Sequence, residues 1–386
     1  MKASEFPDAF QEARQKAGVQ RVEDHGEPVS MVLRLADLRS CAKDWETFSS
    51  GKAEIGRIVV PSEADIRDIR QIPVETDPPE HTDYRALLEP WFKRPLEPAY
   101  RDKLTQMTEV LVNEVLMMES VDAIGDLALK LQSRALTLLL QVPYEEAETW
   151  IGWGTHVFRS EEESLDEDKA AFLDEYISQQ IDQAIASPGE DLYTVLLQAQ
   201  VNGRSLSRKE VHGIINLAFA GGRDTVINVT VNSLAYLAEH PEQLQRLHEE
   251  PRIAALAVEE LVRYFSPLTH LGRVTTEATT VCGHQVADNS RISLCWASAN
   301  RDEAVFTDPD QVMLDRRSNP HVGFGFGHHK CLGATHARQL LRIFLLTLAE
   351  RVKTIDILDY EEQLEQWGDS TRKVGFKRLN IKFHPR

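Results

Sequence analysis

The chain has only four cysteines in 386 residues, Cys41, Cys282, Cys295 and Cys331. They are too few and too scattered for a disulfide framework. No apolar run approaches the roughly 20 residues that a membrane-crossing helix needs. The opening MKASEFPDAFQEARQKAG has no signal-peptide core, because charges interrupt every apolar stretch. A cytoplasmic protein is expected. Positive charge is scarce, with 43 Lys and Arg against 61 Asp and Glu, a net charge of −18. That balance argues against nucleic acid or an anionic membrane as a partner. Read for itself, the acidity asks for nothing beyond solubility. No repeat, low-complexity tract or Gly/Ser linker divides the chain, so one domain over residues 1–386 is expected.

What is present is an ordinary globular composition, 42% apolar and 27% charged. Prolines break the first third, at positions 61, 73, 78, 79, 90, 95 and 98. Short helices and strands are expected there, with MVLRL (Met31–Leu35) as one strand. From Tyr100 to about Leu140 the apolar spacing is that of a helical hairpin, stopped by Pro143. Helices follow over Glu145–Phe158 and Asp166–Ala186, joined by the acidic RSEEES, which reads as a mobile surface loop. The pattern from Leu206 to His240 has polar ends and a middle apolar on all sides, so it belongs in the core. Thr275–Leu294 and Phe376–Phe383 carry strand signals, the latter reading as a strand pair. Helix dominates, with small sheets near both ends.

The most unusual stretch is HVGFGFGHHKCLG, His321–Gly333. Glycines let a backbone approach a flat ligand and adopt positive φ, and Gly325, Gly327 and Gly333 suit that need. Amides opening the next helix, Leu332 to about Ala349, favour a thiolate at Cys331, and Phe324 would keep water off the sulfur. Three readings fit this spacing: a cysteine-held haem, a buried structural cysteine, or a zinc site using His328, His329 and Cys331. The zinc reading lacks a second Cys/His pair.

Three further stretches carry chemistry. GGRDT (Gly221–Thr225) puts paired glycines, an acid and a hydroxyl inside an apolar helix; each glycine weakens it by about 1 kcal/mol relative to alanine. The result is either a plain kink or a groove for a small ligand. ELVR places Glu260 and Arg263 on one helix face, where they pair or simply face water. DPPEHTDYR starts a helix after Pro79, with His81 and Arg85 four apart on one face, suited to an anion or to solvent.

FGFGHHKCLG matches the cysteine-loop signature of the cytochrome P-450 family, F-G-x-G-x-H-x-C-x-G. GGRDT resembles that family's oxygen-activation motif, [AG]-G-x-[DE]-T. The E-x-x-R and H-x-x-x-R pairs stand in family order, so the resemblance covers nearly the whole chain. It implies a mainly α fold with small sheets, a triangular single domain with haem b between the long central helix and the cysteine loop. By resemblance Cys331 is the axial ligand of the haem iron. His329, His321, His81, Arg85 and Arg273 hold propionates, and Phe324, Gly325 and Gly333 shape the cradle. Thr225 hydrogen-bonds dioxygen, Asp224 relays protons, and Glu260, Arg263 and Arg316 form a scaffold ion network. Departures are Asp83 and Tyr84 beside the propionate pair, and Val226 where many members carry a second hydroxyl.

The implied activity is a monooxygenase that inserts one atom of O2 into a small molecule by C–H hydroxylation or oxidative O-demethylation. The alternatives are a haem sensor or carrier without turnover and a peroxide-driven peroxygenase. The implied electron donor is a separate ferredoxin with its reductase, or a flavodoxin-type protein. It would meet a basic island of Lys93, Arg94, Lys330, Arg338 and Arg342 on a monomer. Pocket walls are expected from Leu217, Ala218 and Ala220 and from Leu268, Thr269, His270 and Leu271. Thr269 and His270 would bond a polar end of the substrate.

Overall fold

The central apolar pattern folds as two consecutive helices, Arg208–Gly222 and Asp224–Glu239, broken at Arg223. The structure, a computed structural model, describes residues 2–156, 158 and 165–386. Ser207 and Glu210 cap the first helix reciprocally. The Glu210 amide donates to Ser207 Oγ at 3.3 Å, and the Ser207 amide donates to Glu210 Oε2 at 2.7 Å. At the break Arg223 is fully buried, and its Nη2 donates to the Trp150 and Gly154 carbonyls at 2.7 and 2.6 Å. Burial pushes this guanidinium down to about 10, still charged at neutral pH.

Two apolar clusters flank the broken helix. Asp224–Glu239 packs with helices Pro98–Leu116, Ala254–Phe265 and Ala334–Arg351 through Leu104, Val229, Leu234, Leu261 and Phe344. Arg208–Gly222 packs with helices Leu129–Leu140, Glu146–Gly152 and Glu167–Ala186 through Leu136, Trp150, Ile177 and Phe219. Trp150 meets Phe219 edge-on at 5.1 Å. Each such side chain contributes about 1.5–3 kcal/mol when fully buried. Between the clusters lies a cavity of about 690 Å³.

A five-stranded sheet joins distant parts of the chain, in the order Val19–Asp24, Glu27–Val32, Arg291–Leu294, Leu271–Thr275, Phe48–Ser49. Arg291–Leu294 runs parallel to Glu27–Val32, pairing Leu294 with Val32. A second sheet is a long hairpin, Val352–Trp367 against Ser370–Pro385, with Val121–Asp122 on its edge. Among the described residues no helix is long and apolar enough to cross a membrane.

The mainly helical architecture agrees with expectation, and four local readings are corrected. The strand expected at Met31–Leu35 is Glu27–Val32, and a helix starts at Leu35. The helix expected to reach Phe158 stops at Gly152, where Gly154 turns the chain at φ +77°. Phe376–Phe383 lies within one strand, because its partner is Val352–Trp367 and not a neighbouring segment. The expected single helix through GGRDT is two. RSEEES lies outside the described residues.

Tyr100 and His336 tie two core helices together, Tyr100 Oη standing 3.0 Å from His336 Nδ1. Burial alone pushes His336 from 6.5 down to about 4. Between those values the unfolded chain binds a proton that the folded protein refuses, so stability falls as the pH drops. Going from pH 7 to pH 5 should cost about 2 kcal/mol through this residue. Urea unfolding at the two pH values should lose that difference in His336→Leu.

Candidate functional site

The cysteine loop forms the cavity floor. Gly325 and Gly327 sit at φ +70° and +73°, and a Cβ on Gly327 would stand 2.4 Å from the Ala42 carbonyl oxygen. No other residue type fits there. Gly333, by contrast, has the ordinary φ of −79°, so the expected left-handed conformation is absent at that position. A Cβ on Gly333 would come 3.9 Å from Cys331 Sγ, on the face open to the cavity. The Cys331 amide donates to the Phe324 carbonyl at 2.7 Å and closes the loop. Arg338 covers the Phe324 ring at 4.2 Å. Cys331 is accessible through the cavity it lines. Surrounding protein pushes its thiol up, while the amides of Gly333 and Ala334 and the charges of Arg85 and Arg338 pull it back.

Beside the sulfur stand basic groups, several of whose nitrogens are stranded. His81 and His329 meet edge-on at 4.3 Å. Both ring nitrogens of His81, Nε2 of His329 and Nη2 of Arg273 are buried and bond to no protein atom. Arg273 Nη1 reaches only the Gly272 carbonyl, at 2.6 Å. Arg85 donates to the Lys330 carbonyl at 2.8 Å. Burial pushes His81 down to about 4, Arg273 to about 10, and His329 well below the usual histidine range. Each stranded buried donor costs about 1–3 kcal/mol. An anion with two carboxylates would relieve several at once, and a flat ring reaching them would lie against the accessible thiol. The residues therefore fit an iron porphyrin. Among the described residues no three His, Cys, Asp or Glu side chains converge as a metal-ion site.

His321 is not part of this cluster. Its Nε2 pairs with Glu259 at 2.9 Å, its Nδ1 accepts from the Gly323 amide at 3.1 Å, and it does not line the cavity. Glu259 also takes Arg338, at 2.6 and 2.8 Å, and those partners hold it down to about 2 against the opposing burial. Arg338 is thereby lost to the expected basic island. Lys93 pairs with Glu89 at 3.1 Å yet stays exposed, as do Lys330 and Arg342, while Arg94 donates to Gln141 at 2.5 Å. Asp83 and Tyr84 also turn away, to Asn202 and Glu210.

Opposite the floor, the broken helix lends Leu217, Ala218, Ala220, Gly221, Gly222, Asp224, Thr225 and Val226 to the cavity. A Cβ on Gly222 would meet nothing within 4 Å, so this glycine holds room open and avoids no clash. Thr225 Oγ1 reaches the Gly221 carbonyl at a long 3.5 Å. Gln132 Nε2 takes the Gly222 carbonyl at 2.5 Å. Asp224 Oδ2 stands 2.8 Å from His156 Nδ1, and its buried Oδ1 has no partner. The sequence offered no local signal for Gln132 or His156, which come from other helices and loops.

The side walls hold all four expected residues Leu268, Thr269, His270 and Leu271. Thr269, however, is occupied: its hydroxyl donates to Glu365 Oε2 at 2.5 Å and accepts from Arg372 Nη1 at 2.6 Å. His270 shares a hydrogen bond with Ser293 and meets Trp367 edge-on at 4.3 Å. Gln363, Glu365, Gln366 and Trp367, from the C-terminal hairpin, were not foreseen as lining. Gly368 and Asp369, between the two strands, form the tip of that hairpin.

Behind the floor, Glu260 and Arg263 form a fully buried ion pair through two bonds of 2.8 Å. Arg316 joins them at 3.0 and 3.1 Å.

A family model described as Cytochrome P450 matches residues 153–355. The Bacillus spizizenii protein named Cytochrome P450 109 is 31% identical over 91% of this chain and 88% of its own. Linalool 8-monooxygenase of Pseudomonas putida is 28% identical over 94% of this chain and 92% of its own. A solved structure described as that of a carbohydrate active P450 superposes with a TM-score of 0.98 at 58% identity, over 100% of both chains.

Proposed function

The chain belongs to the cytochrome P450 family, and from that premise we propose that it oxygenates a carbohydrate. One atom of O2 enters a C–H bond of the sugar, and the other leaves as water with two electrons and two protons. Where the attacked carbon bears an ether oxygen, the hydroxylated product falls apart into an alcohol and an aldehyde, an oxidative O-demethylation when that carbon is a methyl. The reading rests chiefly on one observation: an accessible Cys331 and stranded imidazole and guanidinium nitrogens share a single cavity with an acid–hydroxyl pair. The sugar is carried by the 58% identity to the carbohydrate active P450.

Family members use haem b and O2, and the haem supplies dioxygen activation. This chain's residues do the rest. Cys331 is the thiolate ligand; His81, His329, Arg85 and Arg273 hold the carboxylates, and His321 has no part in it. Thr225, weakly bonded to Gly221, is free to turn its hydroxyl toward O2 in the cavity. Asp224 passes protons from its unpartnered Oδ1, while His156 fixes its other oxygen. Leu217, Ala218, Leu268 and Leu271 exclude water around the reacting carbon. Electrons come from a separate ferredoxin with its reductase or from a flavodoxin-type donor, meeting the face that carries Lys330 and Arg342.

Labelled ¹⁸O2 with a ferredoxin couple should place one labelled atom in the hydroxylated sugar or, where an O-methyl group is lost, in the trapped formaldehyde while the sugar keeps its own oxygen; no label in either product would overturn the reading. Thr225→Ala should keep consuming NADPH but release peroxide, with product per NADPH down about tenfold. Product and peroxide yields measured together check this, and unchanged coupling would remove Thr225 from proton delivery.

A further inference from the structure

The hairpin tip puts a carboxylate into a cavity whose surface as a whole is mostly apolar, and its surroundings orient it. Arg372 Nη2 is fixed by the Phe265 and Ser266 carbonyls at 2.7 and 2.8 Å. Its Nη1 donates to Thr269 Oγ1, so the Thr269 proton has to point at Glu365 Oε2. Trp367 Nε1 donates to the same oxygen at 2.9 Å. Glu365 and Arg372 are also cross-strand partners, which sets the register of the arrangement. Oε2 therefore has two donors from the protein. Oε1 has no donor among the described residues and is not among the buried unpartnered atoms, so it is accessible, on a residue that lines the cavity.

A carboxylate oxygen facing a terpene or steroid would be desolvated without return. Facing a sugar, it accepts hydroxyl protons in charge-assisted bonds. We propose that Glu365 is a specificity-determining residue that accepts hydroxyl hydrogen bonds from an uncharged sugar, with the Trp367 ring beside it. This rests on the carbohydrate reading above and adds its selectivity. The sugar is uncharged because the lining Lys and Arg, namely Arg85, Arg273 and Lys330, cluster with His81 and His329 at the floor. A sulfate or uronate at the Glu365 wall would meet a like charge, and among the described residues no Lys or Arg lines that wall. The role expected of Thr269 thus passes to Glu365, and Thr269 becomes its positioning residue.

The test is a titration of the holoenzyme, by haem spectral shift and calorimetry, with methyl pyranosides of D-glucose, D-galactose and D-mannose. The methyl glucuronoside, the methyl galacturonoside and linalool serve as comparators. Wild type should bind a neutral glycoside and reject the matching uronate. Glu365→Gln, nearly isosteric, should weaken the neutral glycoside about ten- to a hundredfold and narrow the gap to the uronate. Glu365→Leu should lose the sugar and gain linalool. Equal sugar affinity in wild type and Glu365→Gln, with both rejecting the uronate alike, overturns this inference and leaves the carbohydrate reading standing. Binding of linalool but of no neutral sugar by wild type overturns both.

Discussion

Cys331→Ala should fold, yet give no carbon-monoxide difference band at the wavelength characteristic of the family, and lose monooxygenation by a thousandfold or more, on the order of 4 kcal/mol in barrier. The size of the effect follows from the absence of a stand-in. Of the three remaining cysteines, Cys41, Cys282 and Cys295, none lines the cavity, and burial pushes each thiol up to about 12. His329 and His81 face the cavity, but on the side proposed for the carboxylates. Folding should survive, because Cys331 is accessible and the loop is closed by backbone bonds, Cys331 amide to Phe324 carbonyl among them. Reduced-carbonyl spectra with haem quantified separately check both halves. An unchanged band would remove Cys331 from the iron.

Glu260→Gln should be the most destabilising single change, about 3–5 kcal/mol. Glu260 is fully buried and accepts from Arg263, Arg316, the Met313 amide at 2.9 Å and Asn319 at 3.2 Å. Removing its charge strands two buried guanidiniums, which is worse than never having had the pair. That loss is a large part of the 5–15 kcal/mol that typically holds a domain. The change should show as a lower urea midpoint and early haem release. Adding Arg263→Leu to Glu260→Leu should recover part of the loss, since one stranded cation disappears with it. A double variant as unstable as the sum of the singles would mean that the two side chains act independently.

The parts of this protein that were legible in the sequence are those whose partners lie close along the chain. Glu260 and Arg263 are three residues apart on one helix face, so their pairing follows from helical geometry alone. The cysteine loop is contiguous, and its two left-handed positions fall on glycines. The helical majority, and a core position for residues 206–240, follow from apolar periodicity.

Tertiary structure alone decided how separate segments meet. His321 stood where the resemblance put a propionate contact, but Glu259, 62 residues earlier, captures it. Asp224 finds His156 across 68 residues, and Glu365 finds Thr269 across 96. The parallel pairing of Glu27–Val32 with Arg291–Leu294 is equally invisible locally. Periodicity and propensity report a residue's own turn or strand. A hydrogen bond between side chains a hundred residues apart depends instead on how whole helices pack and where a hairpin tip comes to rest. That is why the chemistry of the cavity floor could be read from the sequence, while the wall proposed to choose the substrate could not.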